Sequence, residues 1–278
     1  MNNSKVVSIA QIGVGYWGPN LLRNLVQNNN CDIKTIVDLS KERREFVQNL
    51  YPNVNVTSEI KDIIEDSDIE AVIISTPVET HYNLAMECLE AGKHILVEKP
   101  MATTPEEVEK IGELAIKNNL IAMVGHTFLF NEAVRYIKKV IDNEELGDIR
   151  YIYSQRLNLG RIRNDVDALW NLAPHDVSII QYWLNDVNPI NVSKNGQSYV
   201  QQGIDDVVFL NIKYPNNIFA NIHVSWLDPR KVRKMTIVGS EKMLVYDDIA
   251  DDKIIIYDKG IDRMATLGKN MDFDDPNS

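Results

Sequence analysis

The 278 residues carry a formal net charge of −11 and 44% hydrophobic content, which suits one or two packed domains and argues against nucleic acid, whose phosphates require a basic face. No apolar run approaches the roughly 20 residues of a membrane span, and the start, Met1-Asn2-Asn3-Ser4-Lys5, lacks a signal-peptide core. Two cysteines, Cys31 and Cys88, are too few for a disulfide framework or a zinc set and fit a reducing, cytoplasmic setting. Along the chain, Val6, Val7, Ile9 and Ile12 predict a buried strand that runs into Gly13-x-Gly15-x-x-Gly18, with an amphipathic helix from Asn20. Strand, glycine turn and helix N-terminus in that order make a pyrophosphate cradle.

The segment Ile33 to Val37 predicts a second strand ending on Asp38. A carboxylate there accepts both ribose hydroxyls of an adenosine and repels a 2′-phosphate, which favours NAD. The same Asp can instead cap the helix starting near Ser40, and Lys41, Arg43 and Arg44 leave NADP open. Helices are expected over residues 41–50 and 58–64. The run Ala71 to Ser75 then reads as a strand buried on both faces, ending in Thr76-Pro77. A helix over 81–91 is capped by Gly92. The strand His94 to Val97 leads into Glu98-Lys99-Pro100, Thr104-Pro105 opens a helix, and Leu120 to Val124 is the last strand before His126. Alternating strand and helix specify an α/β, doubly wound parallel sheet over residues 1–126, with ligands at the carboxyl ends of its strands.

From residue 127 the pattern changes. After a helix over 131–142, strands dominate at 150–159, 206–214, 218–226, 232–238, 243–246 and 254–257, several of them alternating apolar and polar residues. Tyr214-Pro215-Asn216-Asn217 is hairpin chemistry. A second domain over 127–278 is expected to be α+β with a largely antiparallel open sheet. Its clear internal helix is placed at Pro174 to Leu184, with the proline opening it.

Lys99 is the leading catalytic candidate. It lies between four apolar strand residues and a proline at a strand's carboxyl end, where partial desolvation lowers an amine's pKa and lets it exchange protons with a hydroxyl; the alternative is a pair with Glu98 or a surface acid. In Trp170-Asn171-Leu172-Ala173-Pro174-His175-Asp176, His175 can share that proton work or simply serve the core or a helix cap. Arg150, Arg156, Arg161 and Arg163, then Arg230, Lys231, Arg233 and Lys234, are basic islands in an acidic chain. They suit an anionic substrate such as a nucleotide sugar or a solvated face. The histidines show no metal-ligand spacing, so no metal is expected.

Taken together, G-V-G-Y-W-G at 13–18, Asp38, S-T-P at 75–77, E-K-P at 98–100, G-H-T-F at 125–128 and A-P-H-D at 173–176 resemble the Gfo/Idh/MocA oxidoreductase family over nearly the whole chain. The resemblance implies a Rossmann domain followed by a substrate and oligomerisation domain, in a homo-oligomer acting on a small molecule. It implies catalysis by Lys99 and His175. Cofactor contacts are implied from Gly13, Gly15, Tyr16, Trp17, Gly18, Asp38, Thr76, Pro77, His81, Glu98 and Lys99. Residues 153–161 and 225–233 look most like nucleotide-sugar 3-dehydrogenases. That likeness implies oxidation of a sugar hydroxyl, with Arg156, Asn158, Arg161, Asn171 and His175 at the substrate. Asn171 stands where many members carry Asp; an amide orients a hydroxyl but cannot take its proton. Members usually continue with another strand and a C-terminal helix, where this chain stops at Ser278. A dinucleotide-binding regulator of the same fold, or a ketosugar reductase, are the alternative functions.

Overall fold

A computed structural model describes residues 6–260 apart from Arg161 and Asp165. The chain divides into two compact units, residues 1–126 and 127–278. Among the described residues no helix is long and apolar enough to cross a membrane.

In the first unit short apolar strands are punctuated by glycine, proline and capping residues. The strands are β1 (Val7–Ile12), β2 (Cys31–Val37), β3 (Asn55–Thr57), β4 (Ala71–Ile74), β5 (His94–Val97) and β6 (Ala122–Val124). Between them run α1 (Gly18–Val26), α2 (Lys41–Leu50), the single turn α3 (Lys61–Ile64), α4 (His81–Glu90) and α5 (Pro105–Lys117). Local chemistry sets the helix ends. Ser40 and Thr104 accept hydrogen bonds from the Arg43 and Glu107 amides, and Gly92 takes the left-handed φ of +76° just beyond α4. All strands pair in parallel in the order β3-β2-β1-β4-β5-β6. Helices cover both faces: Ala85, Cys88, Leu89 and Ile111 pack with Ala10, Val72 and Ile95 on one side, and Leu22 and Val47 pack with Ile33 and Ile36 on the other. This is the expected doubly wound sheet. Its order reverses between β1 and β4, whose carboxyl ends open a ligand crevice.

The second unit begins with α6 (Glu132–Asp142), capped by Asn131, and β7 (Ile149–Leu159). Then come α7 (Ala168–Trp183), β8 (Asn191–Gln197), β9 (Val207–Lys213), β10 (Phe219–Ser225), β11 (Leu227–Gly239), β12 (Met243–Asp247) and β13 (Ile254–Tyr257). The sheet order is β13-β12-β11-β7-β10-β9-β8. Every neighbouring pair is antiparallel except β7 with β10, in line with the largely antiparallel expectation. Val134 and Ile137 of α6 and Ile179, Ile180 and Trp183 of α7 close over Ile152, Leu210, Ile222 and Ile237 on one face. Tyr151, Tyr153, Phe209 and Phe219 stand exposed on the sheet.

The helix expected over 58–64 is only the turn α3, and β11 begins five residues before the expected 232; two elements differ more. β8 was not foreseen: it is an edge strand, exposed along nearly its whole length, and so carries no apolar alternation. α7 starts at Ala168, not Pro174, and the proline lies inside it. An interior proline forfeits one helical hydrogen bond, but the turn before it is tied down from outside. Asp167 caps Trp170 N–H at 2.9 Å, the Ala168 amide donates to the Asp205 carbonyl at 2.9 Å, and Lys194 bridges Asp167 and Asp205 at 3.1 and 2.8 Å.

A charged pair lies buried in this unit. Arg156 Nε donates to Asp176 Oδ2 at 2.6 Å and its terminal nitrogen to Oδ1 at 3.3 Å, while Ser154 Oγ donates to Oδ1 at 2.7 Å. Asp176 is 1% exposed and Arg156 5%. Breaking such a pair strands a buried charge, whereas replacing both members by apolar groups does not. Asp176→Ala is expected to lower the stability of this unit by about 3–5 kcal/mol in urea denaturation. The double variant R156M/D176L should lose clearly less than the single one.

Candidate functional site

At the end of β1 the chain turns at Gly13, with φ +90°. A Cβ there would lie 2.8 Å from the Ser75 carbonyl oxygen, and one at Gly18 would lie 2.5 Å from the Gly13 oxygen. Both positions are therefore closed to any side chain. Gly15 is the opposite case: a Cβ would meet nothing within 4 Å, so its backbone faces open space. No side chain caps α1 and no acid sits in its first turn, which leaves the helix N-terminus available to an anion. An open backbone at Gly15 beside an uncapped helix end fits a dinucleotide pyrophosphate. Tyr16 and Trp17 are exposed on the same turn.

Asp38 follows β2. Its Oδ2 accepts from the Val14 amide at 2.8 Å and its Oδ1 from the Ser40 amide at 2.9 Å, while Ser40 itself caps α2. The Asp38 carboxylate thus lies against the glycine turn. Arg44 donates to the carbonyls of Asp38 and Leu39 at 2.6 and 3.0 Å.

The rim beyond β4 and β5 holds the remaining expected residues. Thr76 Oγ1 is 2.7 Å from Thr80 Oγ1, and Pro77 is exposed beside it. His81, expected at the cofactor, is buried between two loops. It is 2% exposed, and its ring nitrogens lie 2.8 Å from the Pro100 carbonyl and 2.9 Å from the Thr76 carbonyl. The ring lies between these two carbonyls, and so between the loop after β4 and the loop after β5. Lys99 is half-buried at the end of β5. Burial pushes the Glu98 carboxyl up, against the lowering influence of the Lys99 amide and charge, a Trp17 hydrogen bond and His81. Burial, and then the Lys99 charge, hold the His126 ring below its ordinary value.

In the second unit Asn171 and His175 are one turn apart on α7 and share a face. The His175 ring packs 5.1 Å from Phe128, and the Arg156 guanidinium sits 4.7 Å over the same Phe128 ring. Arg156, expected to meet substrate, turns inward to Asp176, so its charge is already matched. Asn158 is half-buried opposite a bulge: Leu227 pairs with Leu159 and Val232 with Leu157, leaving residues 228–231 out of the ladder. Pro229, Arg230 and Lys231 are exposed on that bulge. Arg161 lies outside the described residues.

Sequence reasoning missed Gln11, Ser75 and Phe128. Gln11 Nε2 contacts the Gly13 and Gly18 carbonyls at 2.9 and 3.0 Å and Ser75 Oγ at 3.2 Å, and Ser75 Oγ donates to the Gly13 carbonyl at 2.7 Å. The available signal was an amide between the apolar Ala10 and Ile12 of β1.

The open face of Gly15 and the closed one of Gly13 predict opposite outcomes. Gly15→Val keeps near-parental stability but weakens NAD binding by at least about tenfold in calorimetry, whereas Gly13→Ala lowers the melting temperature. For Glu98 the folded carboxyl titrates above its unfolded reference of about 4.3. The proton therefore favours the fold, and that stability is lost as pH rises through the folded value. Glu98→Gln is expected to melt higher than the parent at alkaline pH, with the difference closing below about pH 4.

Residues 7–126 match the model of the oxidoreductase family with NAD-binding Rossmann fold, and residues 134–245 match the GFO/IDH/MocA C-terminal domain. A 4-carboxy-2-hydroxymuconate-6-semialdehyde dehydrogenase of Sphingobium is 27% identical over 78% of this chain and 71% of its own length. An NADP-dependent scyllo-inositol 2-dehydrogenase of Bacillus subtilis is 33% identical over 57% of this chain, which spans only 44% of that relative. Among solved structures, the UDP-N-acetylglucosamine 3-dehydrogenase of Acidithiobacillus ferrooxidans superposes with a TM-score of 0.80 at 22% identity, over 92% of this chain and 81% of that one; at that identity the likeness speaks for the fold. The glycine cradle, the carboxylate after β2 and the two family matches lead to one conclusion: this chain belongs to the Gfo/Idh/MocA family of NAD-binding oxidoreductases.

Proposed function

We propose that the chain is an NAD-dependent dehydrogenase that oxidises a secondary hydroxyl, at C3, of a nucleotide-linked sugar. The observation that carries this reading is the setting of Lys99. It is a half-buried lysine just past the carboxyl end of β5, and its charge acts on Glu98 and His126. When bound, the nicotinamide accepts the hydride that a secondary alcohol gives up. Lys99 takes the hydroxyl proton and His175 shares that work, while Asn171, on the same face of α7, orients the hydroxyl.

Asp38 supports NAD over NADP, because its carboxylate repels a 2′-phosphate. Arg44 already donates to the carbonyls of Asp38 and Leu39. With Arg156 matched by Asp176, the anionic part of the substrate is assigned to Arg230 and Lys231 on the bulge beside Asn158. The likeness of residues 153–161 to the nucleotide-sugar 3-dehydrogenases as a class supports this substrate. The exposed aromatic face formed by Tyr151, Tyr153, Phe209 and Phe219 supports self-association through the second sheet.

NADH formation across a panel of UDP-N-acetylhexosamines and their uronic acids tests the assignment. Lys99→Ala should lower kcat by about a hundredfold or more with NAD affinity unchanged. Parental turnover in that variant would remove Lys99 from the chemistry, and silence of the whole panel would remove the substrate class.

A further inference from the structure

Gln11 is the penultimate residue of β1, fully buried, in an interior strand of a parallel sheet. Two carbonyl acceptors, Gly13 O and Gly18 O, fix which end of its amide is Nε2. The other end, Oε1, is buried with no hydrogen-bond partner among the described residues. Burying an unsatisfied carbonyl is unfavourable, and an apolar side chain of similar shape would avoid it. Gln11 therefore needs a reason other than packing.

The peptide plane supplies that reason. The Gly13 carbonyl is held from beneath by Gln11 Nε2 at 2.9 Å and by Ser75 Oγ at 2.7 Å. In a trans peptide the C=O and the following N–H point in opposite directions. That N–H belongs to Val14, and it donates to Asp38 Oδ2 at 2.8 Å. A continuous path thus runs from Gln11 and Ser75 through the Gly13–Val14 peptide to the carboxylate at the end of β2. We propose that Gln11, seconded by Ser75, is a positioning residue that aims the Asp38 carboxylate at the adenosine ribose and so sets the preference for NAD over NADP. This rests on the reading of Asp38 as the ribose-facing group.

The test is Gln11→Leu in the full chain, with the dissociation constants of NAD and NADP measured by calorimetry and the melting temperature measured without ligand. The expected result is an NAD Kd raised about tenfold and an NADP Kd changed far less, so that the ratio between the two collapses, while the melting temperature stays level or rises. Equal weakening of both dinucleotides, or an unchanged ratio, overturns the proposal, because a general loosening of the turn does not discriminate between them. Ser75→Ala, which removes only the hydroxyl beneath Gly13, should shift the ratio the same way by less and serves if the leucine variant does not fold. Asp38→Gly separates the two claims. If it collapses the ratio and Gln11→Leu does not, the positioning role fails; if neither moves it, the reading of Asp38 fails with it.

Discussion

The contact on which the first unit depends is the approach of Gly13 to the end of β4, too close for any side chain. It pins the turn after β1 to the turn after β4, across the point where the strand order reverses. The parallel ladder then runs one residue past each strand end. Gly13 N–H reaches the Val37 carbonyl at 2.8 Å, Ser75 N–H the Ile12 carbonyl at 2.9 Å, Glu98 N–H the Ile74 carbonyl at 2.9 Å and Gly125 N–H the Val97 carbonyl at 2.8 Å. The residues that border the crevice are thus extensions of the sheet more than loop residues. A site built on rigid elements holds its geometry without waiting for a ligand, and the His81 ring lies between the loops after β4 and β5.

The second unit solves a similar problem with charge. Asp176 is adjacent to His175 on α7, and a helix turns about 100° per residue. Drawing Asp176 inward to Arg156 and Ser154 therefore dictates where His175 and Asn171 point. A buried ion pair contributes little net stability against an apolar replacement, but it leaves α7 one favoured rotation about its axis. Phe128 extends the same order to the imidazole, since the Arg156 guanidinium and the His175 ring both pack against it.

Much of this was legible in the residues. The glycine fingerprint, the carboxylate after the second strand, the apolar run before Thr76 and the proline opening α5 each carry a local physical signature, and each falls where that signature puts it. What escaped was set by partners distant in the chain. β8 is polar and exposed, so its strand character comes from pairing with β9 and not from its composition. The orientation of Gln11 is decided by Gly18 and Ser75, and the latter is separated from it by 64 positions.

Arg156 and Pro174 show two different ways a local rule loses. For Arg156 a usable signal was passed over. In β7 Tyr151 and Tyr153 are exposed while Ile152 and Ser154 are buried, and a period of two puts residue 156 on the buried side. Grouping it with the neighbouring arginines as a basic island obscured that parity. Pro174 carried no such warning. A proline before a periodic apolar run ordinarily marks a helix start, and its weight here was overcome by three attachments upstream: the Asp167 cap, the Ala168 amide and the Lys194 bridge. Two of those partners, Lys194 and Asp205, lie beyond the helix in sequence. No window centred on residue 174 contains the information that lengthens α7, and it is that added first turn and a half that puts Asn171 on the same helix as His175.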